Sequence, residues 1–342
     1  MEITLRQLQQ WRLWAQFLTE PAPPEQVAGS LCGLQAQYAA NALHALRIRS
    51  DDVDIAGFVK AWTLRGTMHL FPENDLSLYI PSVGMEGIFD TDYGRWLYNG
   101  HCSVPQERML FFAGLVAAAL SDQPISRDAL KALCRGEGMT AGEEAQVFSG
   151  WGGVIRLLAE SGVLCVSAPV SRAYIRAPQQ SSRPREQAAL ELLRRYVTHY
   201  GPVTLRDMAY FFRWPQRQLK PLLAQLPVQT AACCGHTYYH MVCPERLPPL
   251  PPCLFLAGFD PLMLGYEKTE NPFLPSEHLK KVFNNTGIVF PTLLIDGAVQ
   301  GKWKEQPNRI DVTLFAPLSR AQQAAVEKQS ARLWPDKPLK IL

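Results

Sequence analysis

A chain of 342 residues is long enough for two or three domains, and 47% apolar against 19% charged residues excludes wholesale disorder. Net charge is only +3, so a nucleic-acid site has to come from local clustering of cations, not from a basic chain. Eight cysteines include the neighbours Cys233 and Cys234 but no CxxC spacing, which argues for reduced thiols in a cytoplasmic protein over a disulfide frame or a zinc site.

Thr4-Leu5-Arg6-Gln7 predicts a capping box opening a helix to about residue 18, and Pro23-Pro24 starts a second helix through Leu34. Residues 52–61, with apolar Val53, Ile55, Phe58 and Val59, read as a third helix. Thr63-Leu64 and Met68-His69-Leu70 then flank Arg65-Gly66-Thr67 as a hairpin. Three helices followed by a two-stranded hairpin is the winged-helix order.

The same order recurs twice. Residues 106–120 form an apolar-rich helix, too short to span a bilayer. Ser126 caps a short helix through Cys134, and residues 143–161 read as one longer helix stopped by Gly162. Strands at 163–166 and 173–175 surround Ser167-Ala168-Pro169. The third repeat has a helix from Arg185 to the Gly201-Pro202 break, one capped by Thr204, one opened by Pro215, and strands at 228–232 and 238–242. After Pro251-Pro252 the pattern changes to short strands at 254–256, 287–289, 292–295, 298–302 and 309–314, with Asp296-Gly297 as a hairpin turn and a closing helix at 319–333. The expected class is α+β and mainly helical: three tandem winged helices over 1–102, 103–182 and 183–250, and a small C-terminal β-barrel with its helix over 251–342.

The residue pattern that carries most chemistry is Gly33-Leu34-Gln35-Ala36-Gln37. On a regular helix, residues two apart point about 200° away from each other. On an extended segment they share a face. Gln35 and Gln37 can therefore serve one site only if the helix ends near Gly33 or Leu34. Leu43, Ala45 and Ile48 against His44, Arg47 and Arg49 alternate in part, as extended backbone does. The spacing alone leaves the other reading open, with both glutamines on a solvated helix face. Arg65, Thr67 and His69 are likewise either an ordinary solvated wing or contacts to nucleic-acid backbone, since all three types bond phosphate. Arg172 and Arg176 lie on the second hairpin, and Arg183, Arg185, Arg194 and Arg195 follow with Glu186 and Glu191 between them. They form either a phosphate-neutralising stripe or a helix face with internal ion pairs. Phosphate loops, GxGxxG followed by a suitable acid, HExxH and GxSxG are all absent, and no cofactor or metal is expected.

Taken together these segments resemble the winged-helix DNA glycosylases typified by the azinomycin-resistance enzyme, the AlkZ-like family. The resemblance rests on Gly33-Leu34-Gln35-Ala36-Gln37, Leu64-Arg65-Gly66-Thr67-Met68-His69, Tyr200-Gly201-Pro202, Phe259-Asp260-Pro261 with Gly265, and the block from Pro291 to Gly301. It covers nearly the whole chain. One departure is Gly265-Tyr266-Glu267-Lys268, where the family leads one to expect an arginine.

The resemblance implies a C-shaped fold around a basic channel, a bacterial cytoplasmic and nucleoid location, and a monomer acting on double-stranded DNA. It implies removal of cationic N-alkylated purines, bulky adducts and some interstrand crosslinks included. Gln35 and Gln37 correspond to the family's two-glutamine motif, and Gln37, where a related branch has aspartate, favours the azinomycin-resistance branch. Arg65, Thr67, His69, Arg172, Arg176 and Arg185 are the expected DNA contacts. Glutamine is no general base at neutral pH. An N3- or N7-alkylated purine is already cationic and leaves without protonation, so two amides need only place a water and face an oxocarbenium-like sugar. The competing reading is a non-catalytic winged-helix DNA-binding regulator, since fold alone does not give function.

Overall fold

The computed structural model describes residues 1–150, 152–168 and 173–342. It divides into two compact units, Met1–Asp54 with Leu190–Leu342, and Ile55–Ala189. The segment 1–102 is thus shared between both units. The class is mixed α and β, and no helix among the described residues is long and apolar enough to cross a membrane.

The first unit opens on helix Leu5–Ala15. The predicted capping box forms: Gln7 N–H donates to Thr4 Oγ1 at 3.2 Å and Thr4 N–H to Gln7 Oε1 at 2.8 Å. The helix buries Leu8, Trp11 and Ala15 against Ala231, Cys233 and Tyr238 of the hairpin Gln229–Cys233 and His236–His240. Helix Arg185–His199, most of it in this unit, precedes Leu205–Phe212 and Gln216–Leu223, so three helices again lead into a hairpin. The third helix of the first repeat is Ala39–Arg47. It spans the residues whose partial alternation suggested extended chain.

Strands Leu339–Ile341, Ile310–Leu314, Ala298–Glu305, Thr292–Ile295 and Cys253–Leu256 form one sheet in that order, antiparallel except for the first pair. Asp296 and Gly297 turn it at φ 49° and 86°, the left-handed pair a two-residue hairpin needs. Helix Arg320–Leu333 sets Val326 on Phe255, Leu293, Ile295 and Trp303. The expected barrel does not close: Cys253–Leu256 and Leu339–Ile341 remain sheet edges. The terminal helix covers the apolar face that closure would otherwise bury. Residues 287–289 are not a strand either, because Gly287 sits at φ 83°, Val289 makes a single bridge to Phe283, and Pro291 has no N–H to donate.

In the second unit the strands run in the order Met68–Pro72, Phe58–Trp62, Leu164–Ser167, Ala173–Arg176 and Ile125–Ser126, each antiparallel to its neighbour. Helix Gln106–Ala119 packs Met109, Phe112 and Val116 with Ile155 and Leu158 of helix Val154–Glu160. Residues 52–61 are not a helix. Gly57 at φ 74° breaks the backbone, and Phe58–Trp62 pairs from Phe58 opposite Pro72 to Trp62 opposite Met68. Aromatic and β-branched residues on a pleated, buried surface outweighed the helical spacing. Residues 143–161 divide into Ala141–Val147 and Val154–Glu160. The break is at Gly153, φ 54°, where a Cβ would lie 2.0 Å from the Val147 carbonyl oxygen.

Candidate active site

Helix Pro24–Ser30 stops four residues before the expected Leu34. Cys32 and Gly33 take φ 56° and 79°, and Gly33 N–H closes the helix end on the Ala28 carbonyl at 2.8 Å. The chain is then extended at Leu34–Gln35 and bends at 37–38 into helix Ala39–Arg47. Leu34 and Ala36 turn into the core. Regular extension covers only Leu34 and Gln35, and Gln37 already lies in the bend. Gln35 is 9% exposed and Gln37 is open to solvent.

Within the same unit the motif adjoins Gly258-Phe259-Asp260. The Tyr38 and Phe259 rings stack with centroids 6.0 Å apart, and a Cβ on Gly258 would come within 2.8 Å of the Asn41 amide. His44, one turn further along the helix, bonds the Phe255 carbonyl at 2.7 Å and stacks against Trp334. Burial drives its pKa down to about 4, although the Phe255 hydrogen bond opposes this. Tyr38 and Asn41 carried no signal in the sequence beyond their proximity to the glutamines.

In the second unit Arg65 is the pivot of the hairpin turn, at φ 58°. Thr63 N–H bonds Thr67 O at 3.0 Å, and Thr67 Oγ1 donates to Leu64 O at 3.1 Å. The Gly66 backbone lies over Arg156, whose Nη2 is 3.3 Å from where a Cβ would stand. His69 does not face solvent: it is 2% exposed. Its Nδ1 lies 2.8 Å from Thr63 Oγ1 and 3.1 Å from Thr67 O, and its Nε2 lies 3.4 Å from Arg65 Nη2. This fits a neutral ring with the proton on Nδ1 and a lone pair turned to the guanidinium. Burial first, and the Arg65 charge second, push its pKa down to about 3.

The remaining expected cations separate. Arg176 Nη2 donates to Leu120 O at 2.7 Å and Ala117 O at 3.3 Å, capping the carboxyl end of helix Gln106–Ala119. Arg185 is exposed at the first residue of its helix. Arg172 lies outside the described residues. Arg194 and Arg195 both bond Glu191, at 2.7 and 2.8 Å, and Arg195 also bonds Gly29 O. Burial works against ionising Glu191, but the two guanidiniums prevail and hold it at about 2. These two arginines follow the ion-pair reading. Lys60 is a residue the sequence did not single out: it is buried on the strand Phe58–Trp62, and burial lowers its ammonium pKa. No disulfide joins any of the eight cysteines, and no group of three His, Cys, Asp or Glu able to hold a metal exists among the described residues.

With this geometry in place, comparison with known proteins is decisive. A match to the family described as "DNA glycosylase AlkZ-like" spans residues 28–334. The chain belongs to the AlkZ-like DNA glycosylase family. A relative from Streptomyces sahachiroi, the "Interstrand DNA cross-link repair glycosylase", is 27% identical over 372 aligned positions, covering 97% of this chain and 96% of the relative. A solved structure, Streptomyces sahachiroi DNA glycosylase AlkZ, superposes with a TM-score of 0.79 at 23% identity over the full length of both chains, so the fold is shared. As a member of the AlkZ-like family the chain is a DNA glycosylase, a hydrolase of N-glycosyl bonds in DNA repair.

Proposed function

We propose that this AlkZ-like protein is a monofunctional glycosylase that excises cationic N-alkylpurines from duplex DNA, with Gln35 and Gln37 as its catalytic pair. The observation that carries this reading is the short extended segment at Leu34–Gln35. Because the motif lies outside any helix, the two amides need not point apart, and Leu34 and Ala36 are buried beside them. Two amide oxygens accept from one water and aim its lone pair at the sugar carbon. Their negative ends also face the oxocarbenium charge that develops as the alkylated base departs. The base leaves as a neutral purine with its bonding pair, and the water's proton passes to solvent. The family needs no lysine adduct in this scheme.

Arg65 and Thr67 are proposed to hold the DNA backbone from the hairpin turn, with Arg185 as a further phosphate contact. His69, being buried, positions Arg65 and does not touch DNA. The three helix–hairpin segments are proposed to act as winged helices. Bulky adducts and crosslinks are proposed substrates because the Streptomyces relative is named for crosslink repair. A base flipped into a deep pocket suits them poorly, since a crosslinked base cannot swing fully out of the duplex.

The test is incubation with a duplex carrying N7-methylguanine. Free N7-methylguanine and an abasic strand are expected. An intact duplex with no base loss contradicts the N-alkylpurine reading.

A further inference from the structure

We infer that Tyr38 is a stacking platform for an unstacked nucleobase beside the scissile nucleotide. This rests on the glycosylase reading and adds a substrate-positioning residue to it. Tyr38 is 53% exposed, a high value for so large an apolar ring, and it directly follows Gln37. It is also held in place. One neighbour is the Phe259 ring, stacked at 20° between planes. Phe259 itself is 7% exposed and has a left-handed backbone at φ 57°, which a bulky residue adopts only when its surroundings enforce it. Three contacts do that. Phe259 N–H bonds Val289 O at 3.1 Å, Asp260 is locked in an ion pair with Arg49, and Gly258 lies close against the Asn41 side-chain amide.

The two rings therefore make a short stack with one end in the protein and the other in solvent. An open-ended aromatic stack next to a catalytic segment suits the face of a base, because every base has a π-face and leaves the duplex stack when its neighbour is being excised. Tyr38 opens the helix Ala39–Arg47, and its backbone is extended at φ −117° and ψ 107°. The platform and Gln37 thus sit on one rigid corner of the fold. Stacking here favours no particular lesion; it holds the strand while the glutamines act.

The experiment uses the full chain, a duplex with 2-aminopurine beside N7-methylguanine, and Tyr38→Ala, Tyr38→Leu and Tyr38→Phe. Wild type is expected to quench the 2-aminopurine emission on binding, and Tyr38→Phe to restore that quenching. Tyr38→Ala and Tyr38→Leu are expected to lose it and to weaken DNA binding by about tenfold, the scale of losing one base–aromatic stack. Thermal melting of each variant checks that the fold is kept. Equal quenching and affinity in wild type and Tyr38→Ala overturns the platform while leaving the glycosylase reading intact. Absence of N7-methylguanine release by wild type overturns the N-alkylpurine reading on which the inference rests, whatever the fluorescence shows. Loss of affinity in Tyr38→Ala that Tyr38→Leu restores means apolar contact and not stacking, and also overturns the inference.

Discussion

Arg49 and Asp260 form a two-pronged ion pair, Nη2 to Oδ1 at 2.7 Å and Nη1 to Oδ2 at 3.1 Å, with neither side chain exposed. Arg49 also donates to Gln16 O and Ala45 O, and Asp260 accepts from the N–H groups of Leu262 and Ala257. The pair fixes the far end of helix Ala39–Arg47 to the segment that holds Phe259. Because every polar atom of the carboxylate is used, one missing partner leaves a buried charge alone.

Asp260→Asn is expected to destabilise the fold by about 3–5 kcal/mol, the cost of stranding a buried guanidinium. Urea unfolding measures it. A loss below about 1 kcal/mol, the worth of an exposed pair, contradicts the buried role given to this contact.

Arg65→Ala is expected to weaken DNA binding and lower the slope of log affinity against log salt by about one unit. His69→Gln should weaken binding less, since it only loosens the guanidinium. Titrations at several salt concentrations separate these outcomes. An unchanged slope in Arg65→Ala removes the hairpin from the DNA contacts.

The pH dependence of stability follows from the buried histidines. Folded His69 and His44 bind a proton only near pH 3 and 4, whereas an unfolded histidine does so near 6.5. Between these values the unfolded chain holds more protons, so stability rises with pH there, is complete above about 6.5, and is lost as pH falls towards 4. Glu191, held at about 2, weakens the fold only at lower pH and leaves the window from 5 to 6.5 to the histidines. Melting temperature should therefore drop between pH 7 and 5, and His69→Gln should flatten that slope. A flat profile in the wild type contradicts the neutral, buried state of these rings.

Much of this organisation was legible in the residues, and the failures have physical causes. The capping box at Thr4, the Ser126 and Thr204 caps and the Asp296-Gly297 turn were readable because their signals are local. The helix at 52–61 was misread because Phe58 and Val59 fit both periods, and only pairing with Met68–Pro72 decides between them. The missing closure of the C-terminal sheet depends on where the last helix packs, which no short window of sequence contains. At the site, the end of the helix before Gln35 was foreseeable from Gly33. The burial of His69 and the stacking of Tyr38 on Phe259, 221 positions away in sequence, were not.

Chelator is expected to leave base release unchanged, and borohydride to trap no protein–DNA adduct, because a cationic purine leaves without a Lewis acid and glutamine forms no Schiff base. A trapped adduct would replace the positioned-water mechanism with a lysine nucleophile.

The central claim is that Gln35 and Gln37 act together on the departing base. It is tested most directly by single-turnover excision of N7-methylguanine by wild type, Gln35→Ala and Gln37→Ala at saturating enzyme, with DNA affinity measured in parallel. Each variant should slow base release by roughly tenfold or more, as loss of a group aimed at developing charge does, with Gln35→Ala at least as impaired as Gln37→Ala. Affinity should barely change, because amides carry little phosphate-driven binding. Wild-type release rates in both variants, with affinity intact, contradict the account.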